Sequence, residues 1–163
     1  MSKKPPYKLI YETDIDPAWI DGNGHVSDRN YTIVFSDAEC MFLEELGAGE
    51  TYRTELGGHI YTAENHLVFL HEIQVDEKMY VGVGLVDFSD KALHLAFELR
   101  NKVGTLCAHH ETLLLNVRKN AHQIPKVSPF TAEITKKLIG FEAEFGRISN
   151  SPYCGKAIGI RRA

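Results

Sequence analysis

Apolar and polar residues alternate from Lys8 to Ile15, where Leu9, Tyr11 and Thr13 interleave with Lys8, Glu12 and Asp14. A period of two predicts a short strand. Asp16-Pro17 ends it, because the residue before a proline is pushed out of helical geometry and proline brings no N–H to a ladder. The period then lengthens. Tyr31, Val34, Phe35, Ala38, Met41, Phe42 and Leu46 recur every three or four residues, which predicts one long helix with a broad apolar face. Ser27 or Asp28 is placed to cap its start, and Gly47 stands where a left-handed residue closes a helix.

Past a loop containing Gly57-Gly58, the alternation returns in four successive runs: His59–Glu72, Lys78–Phe88, Lys91–Asn101 and Thr105–Val117. Ser89-Asp90 and Val103-Gly104 are turn pairs, so the last three runs read as an antiparallel meander. Beyond them Ser128-Pro129 reads as a cap and first-turn pair. Phe130, Ile134, Leu138, Phe141 and Phe145 continue at helical spacing. With no internal repeat or linker, 1–163 forms one domain, and 128–163 is its C-terminal helix and tail. A strand, a long one-faced helix and four strands predict an α+β fold in which an antiparallel sheet wraps that helix.

Composition narrows the partners. Of 163 residues, 18 are Lys or Arg and 22 are Asp or Glu, a formal charge of -4. That balance lacks the basic field of a nucleic-acid binder. No run approaches a membrane span, and the N-terminus has no signal-peptide pattern. The three cysteines, Cys40, Cys107 and Cys154, are odd in number and widely spaced. They predict neither disulfides nor a metal site, and the expected compartment is the cytoplasm. GxSxG, HExxH and P-loop patterns are absent. Gly82-Val83-Gly84 sits inside an apolar strand and marks a bulge or a close backbone approach. His109 and His110 are adjacent on a strand, so they face opposite ways and do not form a metal pair.

The chemistry-bearing segment is Trp19-Ile20-Asp21-Gly22-Asn23-Gly24-His25-Val26-Ser27-Asp28. It packs a carboxylate, a carboxamide and an imidazole just before the long helix. The free N–H groups and positive dipole end of a helix start can hold a carbonyl oxygen as it gains charge. Asp21 could then attack the carbonyl or activate water, with Asn23 and His25 positioning it. The structural alternative is that Asp21 and Asn23 are turn formers and His25 packs under the helix.

Asp21, Gly24, His25 and Val26 match the signature Asp-x-x-Gly-His-Val of the hotdog-fold acyl-CoA thioesterases, the 4-hydroxybenzoyl-CoA thioesterase superfamily. The resemblance extends in pattern from Tyr7 to Val117. It implies a single hotdog fold, a catalytic Asp21 supported by Asn23 and His25, and an oxyanion site from the N–H groups of Gly24, Val26, Ser27 and Asp28. Ser27 departs from the family pattern, which usually has Asn there. Hotdog hydratases space His five residues after Asp and carry a proline where Gly24 stands, so the resemblance favours hydrolysis.

A narrower resemblance to betainyl-CoA thioesterases rests on Gly58-His-Ile-Tyr-Thr-Ala-Glu-Asn-His66, Leu93-His-Leu-Ala-Phe-Glu-Leu99 and Gly155-Lys-Ala-Ile-Gly-Ile-Arg161. It implies release of glycine betaine and CoA in L-carnitine breakdown. CoA belongs to the substrate, and no cofactor or metal is implied. Trp19, Tyr31, Tyr61 and Glu64 are the candidates for a cage around the trimethylammonium group, whose charge favours aromatic faces. Glu64 and His66 share a strand face and are expected in a dimer-interface site. Arg118, Lys119, Lys156, Arg161 and Arg162 are basic positions that could meet CoA phosphates. An unpaired edge on the long strand predicts a homodimer or homotetramer. The remaining alternatives are a thioesterase for another acyl- or aryl-CoA, a non-catalytic acyl-CoA-binding hotdog protein, and a hydratase.

Overall fold

The alternating runs pair into one antiparallel sheet ordered β1-β3-β4-β5-β2. Its strands are β1 (Lys8–Asp14), β2 (Gly58–Phe69), β3 (Lys78–Phe88), β4 (Ala92–Arg100) and β5 (Leu106–Lys119). A short strand, β6 (Pro125–Val127), pairs with the end of β5. The helices are α1 (Asp28–Leu46), α2 (Glu50–Leu56) and α3 (Ala132–Phe145). The computed structural model describes residues 6–119 and 122–158; Arg161 and Arg162 lie outside the described residues.

The strand order brings the first strand beside β3 and sends β2 to the far edge, so α1 is cradled between connections that cross the sheet. Tyr31, Val34, Phe35, Ala38, Phe42 and Leu46 are buried along one face of α1. They meet Val81, Val83, Leu95, Phe97 and Leu99 in a single core cluster. Each large side chain removed from water there stabilises the fold by roughly 1.5–3 kcal/mol. Met41, expected on the stripe, is instead exposed. The helix is covered on one side only, and Met41 sits beyond the edge of that cover.

Gly47 ends α1 with φ 79, and the N–H groups of Gly47 and Ala48 return to the carbonyls of Glu44 and Leu43. This left-handed close is cheap only for glycine. The loop expected around Gly57-Gly58 is in part the short helix α2, which Gly57 ends at φ 62. Only Tyr52 of α2 is buried, and its hydroxyl donates to Asn116 Oδ1 at 2.9 Å. The cap of α3 is Thr131, whose hydroxyl accepts the Ile134 N–H, not Ser128. Ser128 lies one strand-turn earlier, where its N–H bonds the Asn116 carbonyl.

A Cβ on Gly84 would lie 2.5 Å from Ile148 Cδ1 and 2.8 Å from the Pro6 carbonyl oxygen. The expected close approach is therefore real: the entering and leaving chain segments press onto this strand. The segment after α3 crosses the outer face of the sheet. Ile148 N–H bonds the Leu85 carbonyl, Tyr153 packs on His109, and Gly155 N–H donates to both oxygens of Glu111. His110, one residue from His109, stacks on Phe35 of α1 at 5.1 Å. The two histidines do face opposite ways.

Candidate active site

Ile20 and Val26 form an antiparallel bridge that closes a small loop at the head of α1. Inside it Asp21 N–H donates to the His25 carbonyl, and Gly24 N–H donates to the Asp21 carbonyl. Gly24 takes φ 87, a left-handed turn position where a side chain would be strained. The loop is tied down on two sides: Val26 N–H reaches the Ile73 carbonyl at 3.0 Å, and Ser27 N–H reaches the Trp19 carbonyl at 2.9 Å. Buried Asn30 donates its side-chain amide to the same Trp19 carbonyl.

Asp21 stands at the centre of this loop. Its Oδ1 accepts the Asn23 backbone N–H at 2.8 Å, and Oδ2 faces the Asn23 side-chain amide at 3.4 Å. His25 Nδ1 lies 3.8 Å from Asp21 Oδ1, while its Nε2 lies 3.5 Å from Glu72 Oε1. The Asn23 N–H, together with the nearby His25 ring and backbone, holds the Asp21 carboxyl below the ordinary Asp range. Hydrogen bonds to the charged form outweigh its desolvation. Asp21 is therefore an ionised, partly exposed carboxylate with a fixed orientation.

Asp21 opens onto a cavity of about 320 Å³, lined also by His25, Val26, Asp28, Tyr31, Phe69, Leu70, His71 and Glu72. Tyr31 meets Phe69 edge to face, with ring centroids 5.3 Å apart. Burial pushes the Tyr31 hydroxyl up to about 12, and the Ile73 backbone hydrogen-bonds it. This phenol is a neutral wall of the cavity, not an acid or base at neutral pH.

Of the backbone donors expected for a developing oxyanion, those of Gly24, Val26 and Ser27 are spent on the Asp21, Ile73 and Trp19 carbonyls. Asp28 is the first residue of α1, so its N–H is one of the donors that a helix start leaves without an intrahelical partner. Ser27 occupies the cap position without a side-chain cap bond. Asp28 Oδ1 instead accepts the Arg29 N–H at 2.8 Å.

The structure unites Asp21, His25, Val26, Asp28 and Tyr31 around one cavity, with Asn23 and Gly24 on the loop behind. It does not bring the rest of the expected cage there. Trp19 is half-buried against the core. Tyr61, Glu64 and His66 pair in register with Leu115, Leu113 and Glu111. Those β5 positions share the outer face with His109, opposite α1. A bulge between Thr62 and Glu64 resets the alternation, so Tyr61 and Glu64 share a face despite being three apart.

Glu64 and His66 line a separate cavity with His94, Glu111 and Lys156. There His94 Nε2 sits 2.7 Å from Glu111 Oε1. Arg118 donates to the Leu56 carbonyl. Phe69, Leu70, His71 and Glu72 were not read as site residues from sequence. They reach Asp21 because the end of β2 and the connection after it are tied to the Asp21 loop through the Val26–Ile73 hydrogen bond, and no local pattern carries that information.

An antiparallel sheet wrapped on one long helix, with a carboxylate loop at the helix head, is the architecture of the hotdog thioesterases. Residues 15–138 match the thioesterase-like superfamily, and the chain belongs to it. It is a thioester hydrolase. The chain is 30% identical over 151 residues to the betainyl-CoA thioesterase of Pseudomonas aeruginosa, covering 92% of this chain and 93% of that protein. It is 27% identical over 158 residues to the L-carnitine dehydrogenase/betainyl-CoA thioesterase of Rhizobium meliloti, covering 96% of this chain and 31% of that longer protein. A Staphylococcus aureus protein solved in complex with CoA superposes with TM-score 0.86 at 24% identity, over 98% of this chain and 100% of that chain. The DHNA-CoA thioesterase of Staphylococcus aureus superposes with TM-score 0.70 at 20% identity, over 88% and 97% of the two chains. These superpositions show the shared fold. No helix among the described residues is long and apolar enough to cross a membrane.

Proposed function

We propose that the chain hydrolyses an acyl-CoA thioester, betainyl-CoA, to glycine betaine and free CoA at the Asp21 loop. The observation that carries the chemistry is the ionised Asp21 carboxylate, held by the Asn23 N–H beside the first turn of α1. The acyl group is supported by the near full-length similarity to the Pseudomonas aeruginosa enzyme. The Asp28 N–H and the positive end of the helix would receive the thioester oxygen as it becomes negative.

Asp21 attacks the thioester carbon, the C–S bond breaks, and CoA leaves as thiolate. Water then opens the mixed anhydride, returning the Asp21 carboxylate and releasing the acid with a proton. The lowered pKa of Asp21 favours this route over general-base catalysis, since a base works best with a pKa near the operating pH. A single turnover in labelled water followed by mass analysis tests the two. Label in Asp21 shows an anhydride opened at the Asp21 carbonyl; an unlabelled Asp21 fits either direct attack by water or an anhydride opened at the acyl carbon, and trapping the intermediate with hydroxylamine separates those two. No cofactor enters the reaction, because CoA arrives as part of the substrate.

The 12-residue strand β2 lies at one end of the sheet, with one edge unpaired among the described residues. Such an edge is a template for another strand. The reading therefore includes a homodimer, or a tetramer built from it, working in the cytoplasm. Light scattering at micromolar concentration tests this, and a monomer contradicts it. A panel of acyl-CoA thioesters followed by thiol release tests the substrate. Fastest release from betainyl-CoA supports the proposal, whereas faster turnover of aryl- or medium-chain thioesters replaces it with another acyl specificity.

A further inference from the structure

We propose that Glu72, together with the Phe69 and Tyr31 rings, selects a positively charged acyl group at the Asp21 cavity. This rests on the acyl-CoA reading above and assigns its specificity to one residue each of α1, the end of β2 and the β2–β3 connection. The lining of the cavity carries fixed negative charge. Asp21, Asp28 and Glu72 supply carboxylates, His25 and His71 are the basic side chains, and neither Lys nor Arg lines it. A dicarboxylic acyl group would meet no fixed cation there. A neutral one would displace water from carboxylates without replacing its hydrogen bonds.

A quaternary ammonium has no N–H to donate, so it is recognised by ring faces and by negative charge nearby. The edge-to-face pair of Tyr31 and Phe69 offers such a wall, with Phe69 half exposed on the cavity side of the sheet. The volume of about 320 Å³ has room for a small acyl group at the thioester.

Among the three carboxylates, Glu72 is the one left for the acyl group. Asp21 is engaged by Asn23 and would face the reacting carbon. Asp28 Oδ1 accepts the Arg29 N–H and faces the Ser27 hydroxyl. Among the described residues Glu72 meets only the His25 Nε2, at 3.5 Å. Its backbone is nonetheless fixed on both sides. Leu70 and His71 N–H groups bond the Cys107 carbonyl, and the Ile73 carbonyl accepts from Val26. The Ile73 side chain is fully buried. Glu72 is thus an exposed charge on an anchored backbone, placed at the cavity rim.

The test compares betainyl-CoA with 3,3-dimethylbutyryl-CoA, in which a carbon replaces the charged nitrogen at the same shape. Purified full chain is assayed as wild type, Glu72→Gln, Phe69→Leu and Glu133→Gln, the last an exposed carboxylate on α3 outside the cavity. The measured quantity is the ratio of kcat/KM for the charged to the neutral thioester. The proposal expects wild type to favour the charged substrate, Glu72→Gln and Phe69→Leu each to lower that ratio about tenfold, and Glu133→Gln to keep it, at the scale of a partly exposed cation contact. If wild type favours betainyl-CoA and Glu72→Gln keeps the full ratio, the role of Glu72 is overturned while the proposed function stands. If wild type handles both substrates alike, charge selection is overturned. If it cleaves neither but releases thiol from other acyl-CoAs, the betainyl reading falls with it.

Discussion

Asn23 donates its backbone N–H to Asp21 Oδ1 across 2.8 Å, two residues away on the same loop. The bond fixes the carboxylate toward the cavity and stabilises its charged form. Because the donor is the backbone, the side chain of Asn23 contributes less than its place in the motif suggests. Asn23→Ala is expected to lower kcat/KM by no more than about tenfold, the scale of one ordinary hydrogen bond. Asn23→Pro, which removes the N–H, is expected to cost more and to move the acid limb of the pH profile upward. Equal losses in the two variants would contradict the assignment.

The acidity of Asp21 gives a signed prediction for the wild type. Its folded pKa lies below the ordinary Asp value, so the ionised form persists as pH falls through the usual carboxylate range. The profile of kcat/KM is expected to stay flat on the Asp21 limb down to pH 5, monitored by thiol release with a pH-independent detection step. An Asp21-dependent loss of rate above that point would contradict the geometry.

Stability follows a different set of groups. Burial pushes His109 and His110 down to about 4 from 6.5, so both are neutral in the fold. Their stabilisation is complete above the unfolded value and is lost as pH falls from 6.5 toward 4. Linkage puts the loss at up to about 3 kcal/mol apiece. Burial also raises Glu39 to about 7, with Thr112 hydrogen-bonding its carboxyl. That group acts in the opposite sense, since its folded proton is held through the range where the unfolded chain has released it. Two histidines against one glutamate leave a net loss on acidification. Urea unfolding at pH 7.5 and pH 5 is expected to show lower stability at pH 5, and Glu39→Gln to steepen the difference. A stability that rises on acidification would contradict the burial of the histidines.

Gly58 carries a packing prediction. A Cβ there would lie 2.1 Å from the Tyr52 ring, which is buried and bonded to Asn116. The ring has no room to retreat without breaking that bond. Gly58→Ala is expected to destabilise by about 1–3 kcal/mol, the range for overpacked cores. Thermal unfolding checks it, and an unchanged Tm would contradict the tight contact.

Much of this fold was legible because its long elements bury one face each. The α1 stripe, the Gly47 stop and the four long runs all appear in the structure within a few residues of their expected bounds. Elements without such a face were not legible. In α2 only Tyr52 is buried, and all three residues of β6 are exposed, so neither carries a period to read. The site divides the same way. The Asp21 loop is local and its residues lie together. Phe69 and Glu72 arrive with the end of a distant strand and the connection after it; Glu64 and His66 fall on the other face by alternation with Phe69, and Tyr61 joins them because a bulge at Thr62 resets the strand.

The central claim is that Asp21 performs thioester hydrolysis. Its most direct test is Asp21→Asn, assayed for thiol release from betainyl-CoA beside wild type, with circular dichroism and thermal unfolding on both. Asn keeps the size of the side chain and removes its charge. The account predicts a loss of at least about a thousandfold in kcat, the scale of removing a reacting group, with the fold intact. A folded Asp21→Asn protein that turns over within tenfold of wild type would contradict it.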